Sequence, residues 1–297
     1  MKLLSRIFLI AAFSAANLAA EPIKAVFWNV EWFPGGHPNA TQAEAEAQTA
    51  LVQPIVAGLK PDIIGFEEIR DWEAVQIALK DLPGVGVQVC SDFVDETGAK
   101  TAQQLALASR LPAVGAWWEA WQAGSKITPK RGFSFAAFQP SEGQVLLVYV
   151  VHLKSNRGAE KELKDNIAMR EESARQLLNH VAAMEKAYSA LGRVSVIIGG
   201  DFNTSTDDPK FAREDTLKSL EKAGFQSCWQ GKPLAQRVTL PSTPSKNPKY
   251  PPFPDACFDH VFVKGAKIVS SSVFTPESEP SDHRPVVVEV ALPGTTP

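Results

Sequence analysis

Apolar and polar positions along this chain fall into blocks that read alternately as strands and helices. Short apolar runs bounded by Gly, Pro, Asn and Ser predict strands at 23–29, 62–67, 85–90, 105–109, 114–118, 133–138, 145–152, 194–198, 258–263, 267–274 and 285–291. The Ala/Glu/Gln-rich stretch 41–59 predicts a helix kinked at Pro54, and 72–80 a shorter one. Segment 159–188 predicts a long helix, because Leu163, Ile167, Ala174, Leu178, Val181 and Met184 recur mostly at three- and four-residue steps. A fourth helix is predicted over 208–223. Interleaved strands and helices at both ends, with a run of strands between, predict an α/β sandwich: two mostly antiparallel mixed β-sheets packed face to face with helices outside. Hydrophobic content of 44% supplies a sizeable core, and no repeat or linker divides residues 21–297, which are expected to form one domain. The loop 231–255 holds seven prolines and is either a surface loop on the substrate side or an inert connection.

The first twenty residues change the picture. Lys2 and Arg6 precede the apolar stretch 7–13, and small residues follow up to Ala20. That layout is expected of a cleaved secretory signal peptide, cut after Ala20 or, as the alternative, after Ala16, and its apolar core is too short to span a bilayer. The expected location is periplasmic or secreted, with no stable membrane anchor after cleavage. Cleavage removes two basic groups and no acid, leaving 28 basic against 33 acidic residues, a net charge of about −5. A polyanionic substrate must then be attracted by a local patch and bound cations, not by global charge. Export also bears on Cys90, Cys228 and Cys257, for which one disulfide (Cys228–Cys257) and three buried free thiols are both open readings. No CxxC or Cys/His cluster has zinc spacing.

Candidate chemistry sits where apolar runs end. Gly199-Gly200-Asp201-Phe202-Asn203 closes the run 194–198, and residues two apart on a strand point the same way, so Asp201 and Asn203 project together. Glu68 ends the run 63–66 and is the expected main metal ligand, with Glu67 expected on the opposite face. Asn29 offers an amide that binds metal or phosphate without adding charge. His152 follows 145–151 and is expected to contact phosphate or the leaving oxygen. His283, in Ser281-Asp282-His283-Arg284-Pro285, is expected to pair with Asp259 and act on the attacking water. His37, His180 and His260 are expected to be structural or surface residues. Trp117, Trp118 and Trp121 are weighed as base-stacking or packing residues.

Trp28-Asn29, Phe66-Glu67-Glu68-Ile69, Val151-His152-Leu153-Lys154-Ser155, Gly200-Asp201-Phe202-Asn203, Phe258-Asp259-His260-Val261 and Ser281-Asp282-His283-Arg284-Pro285 occur in one order over residues 23–291. In that order they resemble the endonuclease/exonuclease/phosphatase superfamily, the group with the pancreatic-type deoxyribonuclease fold. The resemblance implies a four-layered α/β sandwich that hydrolyses phosphoesters with Mg²⁺ or Mn²⁺, Ca²⁺ being a further candidate. By matching position it implies metal binding by Asn29 and Glu68 with help from Asp282, placement of nucleophile and phosphate by Asp201 and Asn203, and an acid–base pair of Asp259 and His283. His152 stands where the deoxyribonuclease branch also has histidine. Arg110 and Arg131 fall where family members often carry an arginine, and Lys154 lies in a run similar to that of secreted bacterial nucleases; all three are candidate substrate contacts.

The expected activity is therefore that of an exported nuclease cutting DNA, and RNA as a further substrate, working as a monomer with no obligate protein partner. The alternative is a phosphoesterase on a lipid or small phosphorylated substrate, sphingomyelinase-like or inositol-phosphate phosphatase-like. A binding module that lost catalysis is disfavoured by the complete residue set.

Overall fold

Alternation within the apolar runs decides the layering. In the computed structural model, which describes residues 21–95, 97–124, 127–156, 160–243 and 253–294, the elements follow one another as β1 (Ile23–Phe33), α1 (Gln42–Leu59), β2 (Ile63–Ile69), α2 (Trp72–Ala78), β3 (Gly86–Cys90), β4 (Gln104–Ser109), β5 (Ala113–Ala120), β6 (Gly132–Ser141), β7 (Gly143–His152), α3 (Glu160–Tyr188), β8 (Gly192–Asp201), α4 (Thr216–Lys222), β9 (Gln226–Ser227), β10 (Asp259–Lys264), β11 (Lys267–Val273) and β12 (Val286–Ala291). The expected leader, 1–20, and positions 244–252 of the proline-rich loop lie outside the described residues.

Two six-stranded sheets form, in the orders β11-β12-β1-β2-β4-β3 and β5-β6-β7-β8-β10-β9. Each contains one parallel pair, β1–β2 and β7–β8, among antiparallel neighbours. This is the mixed, mostly antiparallel arrangement expected. Ala25 and Phe27 of β1 pack between the sheets with Ile63, Leu107, Val148, Val150, Ile197 and Val261. Val26, Trp28 and Val30 face the other way, onto Val52 and Val56 of α1 and Ala74 and Val75 of α2. On the second sheet, Tyr149, Ile198 and Phe262 lie under Leu177 and Val181 of α3 and Leu217 and Leu220 of α4. The result is four layers, helices–sheet–sheet–helices, held by three apolar interfaces.

Local signals fix the helix starts. Thr41 caps α1 in a capping box with Glu44, and Asp71 caps α2 by accepting from the Ala74 N–H at 2.8 Å. The helix expected over 208–223 is broken: a single 3₁₀ turn, Pro209–Phe211, precedes α4. Asp208 caps that turn at the Lys210 N–H, and between the turn and α4 Glu214 points inward to a bidentate pair with Arg170 of α3. All three cysteines are free, Cys228 and Cys257 being buried. No helix among the described residues is long and apolar enough to cross a membrane.

Candidate active site

Strand register gathers the second sheet's share of the site. His152 on β7 pairs with Asp201 on β8, which pairs on its other side with Asp259 on β10. All three continue the inward-facing rows that begin Val148–Val150, Ile197–Gly199 and Val261–Val263, so one rim of the sheet presents a histidine between the sheets beside two carboxylates. The two glycines before Asp201 serve packing here. A Cβ on Gly199 would lie 2.4 Å from the Phe27 ring, and one on Gly200, at φ +135°, would lie 2.0 Å from the Val151 carbonyl. Asn203 adopts φ 52° and turns back: its backbone N–H donates to Asp201 Oδ1 at 2.7 Å and its side-chain amide to Asp201 Oδ2 at 2.8 Å.

The first sheet supplies the opposing edge. Asn29 on β1 pairs with Glu67 on β2. Strict alternation places Glu67, not Glu68, between the sheets, and Glu67 is fully buried there. A bulge then follows: Glu68 has φ 56°, the register slips by one between Glu67 and Ile69, and the Glu68 carboxylate swings back to the rim, 3.4 Å from Asn29 Nδ2. The expectation that the two glutamates lie on opposite sides is thus corrected; both turn toward the cleft, at different depths. The loop before β12 closes the site. Ser281 Oγ donates to the Asn29 carbonyl at 2.7 Å and accepts from the His283 N–H at 3.0 Å, while the Trp28 indole N–H donates to the His283 carbonyl at 2.9 Å.

The centre of this arrangement is Asp201 Oδ2. Asn29 Nδ2 stands at 3.4 Å, His152 Nε2 at 3.4 Å, Asn203 Nδ2 at 2.8 Å and His283 Nε2 at 3.9 Å. His283 Nδ1 lies 2.8 Å from Asp259 Oδ2. Burial works against a charge on the His283 ring, but Asp259 and Asp201 outweigh it and raise its pKa well above the ordinary imidazole value. His152 goes the other way: burial, then repulsion from Arg131, His283 and Lys154, holds it neutral. Burial raises Asp201 to about 7, with His283 opposing and Asp259 reinforcing the shift. Glu67 is raised well above the carboxylate range by burial and by Asp259 and Asp201, and neither of its oxygens has a hydrogen-bond partner among the described residues.

These residues fit a hard divalent cation. Asn29 Nδ2 donates to Glu68 Oε1 at 3.4 Å while its Oδ1 accepts the Glu31 N–H at 3.0 Å, and Glu31, two residues beyond Asn29, accepts the Asp282 N–H at 2.9 Å, so the carboxylates of Glu68, Glu31 and Asp282 gather at one place. Burial and the charges of Asp282 and Glu68 raise the Glu31 pKa, the signature of carboxylates crowded at one point. A second set, Asp201, Asp259 and His283, brings one ligand atom from each within 4.8 Å of the others. Carboxylate and amide oxygens suit Mg²⁺, Mn²⁺ or Ca²⁺ over softer ions.

Glu31 and Glu67 join the cleft without an expected functional role, Glu67 being expected only on the face opposite Glu68. Glu31 carried a usable signal, the same two-residue spacing from Asn29 that joins Asp201 to Asn203; Glu67 carried none that reveals the bulge beside it. Of the expected substrate contacts, Lys154 lies half-buried on the rim, pushed below the usual ammonium range by burial and by Arg131. Arg131 is a brace: its guanidinium donates to the carbonyls of His152 at 3.0 Å and Leu153 at 2.8 Å and to Gln103 at 3.2 Å. Arg110 is corrected outright. It follows the end of β4 that pairs with Ile63, at the opposite end of the sheet from Glu67, and bonds the Pro83 carbonyl. Trp117 packs on Phe135 and Trp121 on Phe133, while Trp118 stands edge-on to Phe93 and is partly exposed. His37 pairs with Glu44, His180 bonds the Tyr149 hydroxyl, and His260 bonds the Thr204 carbonyl, all outside the cleft.

A two-sheet sandwich with carboxylates, amides and paired histidines along one rim defines a metal-dependent phosphoester hydrolase. The sequence matches the model of the Endonuclease/Exonuclease/phosphatase family over residues 26–283, and the chain belongs to that family. Comparison with the curated proteins finds no match. Among solved structures, the fold is similar to that of an endonuclease/exonuclease/phosphatase from Beutenbergia cavernae DSM 12333, with TM-score 0.67 and 19% identity over 93% of this chain and 72% of that one. It is also similar to D. rerio TDP2 complexed with a single-strand DNA product, with TM-score 0.62 and 17% identity over 90% of this chain and 98% of that one. A mannosyl-6-phosphatase from Bacteroides thetaiotaomicron VPI-5482 aligns with TM-score 0.58 and 17% identity over 90% of this chain and 99% of that one. Membership makes the chain a divalent-metal-dependent phosphoric ester hydrolase.

Proposed function

We propose that the protein is an exported phosphodiesterase that cuts DNA, and RNA as a further substrate, using Mg²⁺ or Mn²⁺. The observation that carries this reading is the meeting at one rim of the carboxylates Glu31, Glu68, Asp201 and Asp282 with neutral His152 and the half-buried cation Lys154, on a segment that Arg131 braces from behind. The carboxylates hold a cation, and Lys154 meets a flanking phosphate of a polyanion that the chain's net charge repels. The likeness in fold to TDP2 bound to a DNA product supports the same class of substrate. Export rests on the pattern of residues 1–20.

Glu68, Glu31 and Asp282 would hold the metal, joined by Asn29 once its amide turns to present Oδ1 in place of the Nδ2 that faces Glu68; the metal when bound would polarise a phosphoryl oxygen. The charged His283, fixed by Asp259, presents its Nε2–H to a non-bridging oxygen. This revises its expected role on the attacking water, since a ring that already holds its proton is a donor. Asp201, raised to about 7, takes the water's proton instead, steadied by both donors of Asn203. Neutral His152 donates from Nε2 toward the phosphate or the leaving oxygen.

The test is one panel. Purified protein with Mg²⁺ or Mn²⁺, with and without EDTA, is offered plasmid DNA, RNA, sphingomyelin and a sugar phosphate. Plasmid cleavage abolished by EDTA is the expected result. Intact plasmid alongside hydrolysed sphingomyelin or sugar phosphate would replace the nuclease reading with the alternative. N-terminal sequencing of protein recovered outside the cytoplasm tests export, and light scattering tests the monomer.

A further inference from the structure

Arg170 of α3 takes no part in the chemistry above, yet its side chain is fully buried in a polar network. Its Nε and Nη2 donate to Glu214 Oε1 and Oε2 at 2.8 and 2.6 Å, a bidentate pair that holds the guanidinium plane. Glu214 is itself buried and accepts the Thr216 hydroxyl at 2.6 Å. The remaining Nη1 donates to two acceptors on the segment after β7, the Lys154 carbonyl at 2.9 Å and Asn156 Oδ1 at 2.7 Å. Asn156 then uses its amide N–H to donate to the Asn203 carbonyl. Asn203 is the left-handed residue whose two donors grip Asp201, and its amide also reaches the Leu153 carbonyl at 3.3 Å. Arg131 binds the carbonyls of His152 and Leu153 from the other side. The chain from His152 to Asn156 therefore runs between two guanidinium groups.

We propose that Arg170, locked by Glu214, is a positioning residue with two outputs: through Asn156 it sets Asn203 and hence Asp201, and through the Lys154 carbonyl it sets the ammonium that meets substrate phosphate. The inference rests on the hydrolytic reading for its kinetic consequences, but not for its structural ones. The two branches separate because Asn156 lies on the first alone. An amide turned away from its carbonyl frees Asn203 to rotate, and misplacement of a reacting group by a fraction of an ångström lowers turnover without touching substrate affinity. Moving the Lys154 backbone alters a contact present in ground and transition states alike, which appears in KM.

Asn156→Ala should lower kcat on a plasmid or a generic phosphodiester at least about tenfold with KM nearly unchanged. Lys154→Ala should show the reverse split, and Arg170→Lys, which keeps charge but loses the fork, should show both. A purely structural role would lower the melting temperature without separating the constants. Hydrogen exchange supplies the second readout: the Asn203 amide, bonded to Asp201 Oδ1, should exchange faster in Asn156→Ala while the strand cores stay protected. Wild-type kcat and unchanged Asn203 exchange in Asn156→Ala would overturn the proposal. If Arg170→Lys does not fold, Asn156→Ala decides alone. If the wild type hydrolyses none of the phosphoesters, the functional reading fails and the exchange result still decides this one.

Discussion

His283 Nδ1 and Asp259 Oδ2 lie 2.8 Å apart, although Asp259 opens β10 of one sheet and His283 sits in the loop that leads into β12 of the other. The carboxylate fixes the ring's tautomer and holds its charge, leaving Nε2 aimed at Asp201. Asp259→Asn keeps the shape and removes the charge. It should cut kcat by roughly 10²–10⁴ while leaving the melting temperature close to wild type. Steady-state kinetics on a generic phosphodiester check this, and near-normal turnover would remove the pair from the mechanism.

Glu68 reaches the cleft only because its backbone is left-handed. Glu68→Gln should raise the Mg²⁺ concentration for half-maximal activity by one order of magnitude or more, a direction set by loss of a hard anionic ligand. The same variant should lose most of the thermal stabilisation that added Mg²⁺ gives the wild type. Melting curves over a Mg²⁺ titration read this without any substrate.

His260 gives the fold a pH dependence of known sign. Burial pushes its pKa down to about 4, against about 6.5 in an unfolded chain. Between those values the unfolded chain binds more protons, so stability is complete above the upper limit and falls as pH drops through the window, by roughly 3 kcal/mol in all. His260→Gln should flatten that slope; denaturant midpoints near pH 7 and pH 4 make the comparison. Glu67 acts in the opposite sense, since a buried carboxyl with a raised pKa resists ionisation as pH rises. Glu67→Gln should therefore gain on the wild type with rising pH, measured in EDTA.

Gly199 is occupied territory for the Phe27 ring, which a Cβ would meet at 2.4 Å. Gly199→Ala should cost about 1–3 kcal/mol by overpacking, and Phe27→Leu should return part of that loss in the double variant. Additive effects in a urea-unfolding cycle would show that the two do not touch.

Much of this protein was legible in its residues before any coordinate. Unbroken apolar runs such as 145–151, buried on both faces, and the 3.6-residue face of 163–184 placed strands and the long helix, because burial is a local pattern read from run length and spacing. Strand-end positions also single out Asn29, Glu68, His152, Asp201 and Asn203, since polar side chains closing apolar runs lie near a sheet's rim, while Asp259 and His283, which precede their strands, are singled out by the expected histidine–carboxylate pair. Tertiary structure decided the rest. The bulge that turns Glu68 back and leaves Glu67 between the sheets depends on pairing with β1 and β4. Within the break at 212–215, Glu214 meets Arg170, forty-four residues away in the chain, a contact no local pattern announces. Arg110 lies at the far end of its strand from the cleft, and a strand's sequence does not say which end meets the site. Periodicity reports which face of a segment is buried, whereas register, depth and partner are set by contacts between segments far apart in the chain, and those contacts are what make a rim of polar residues into a site.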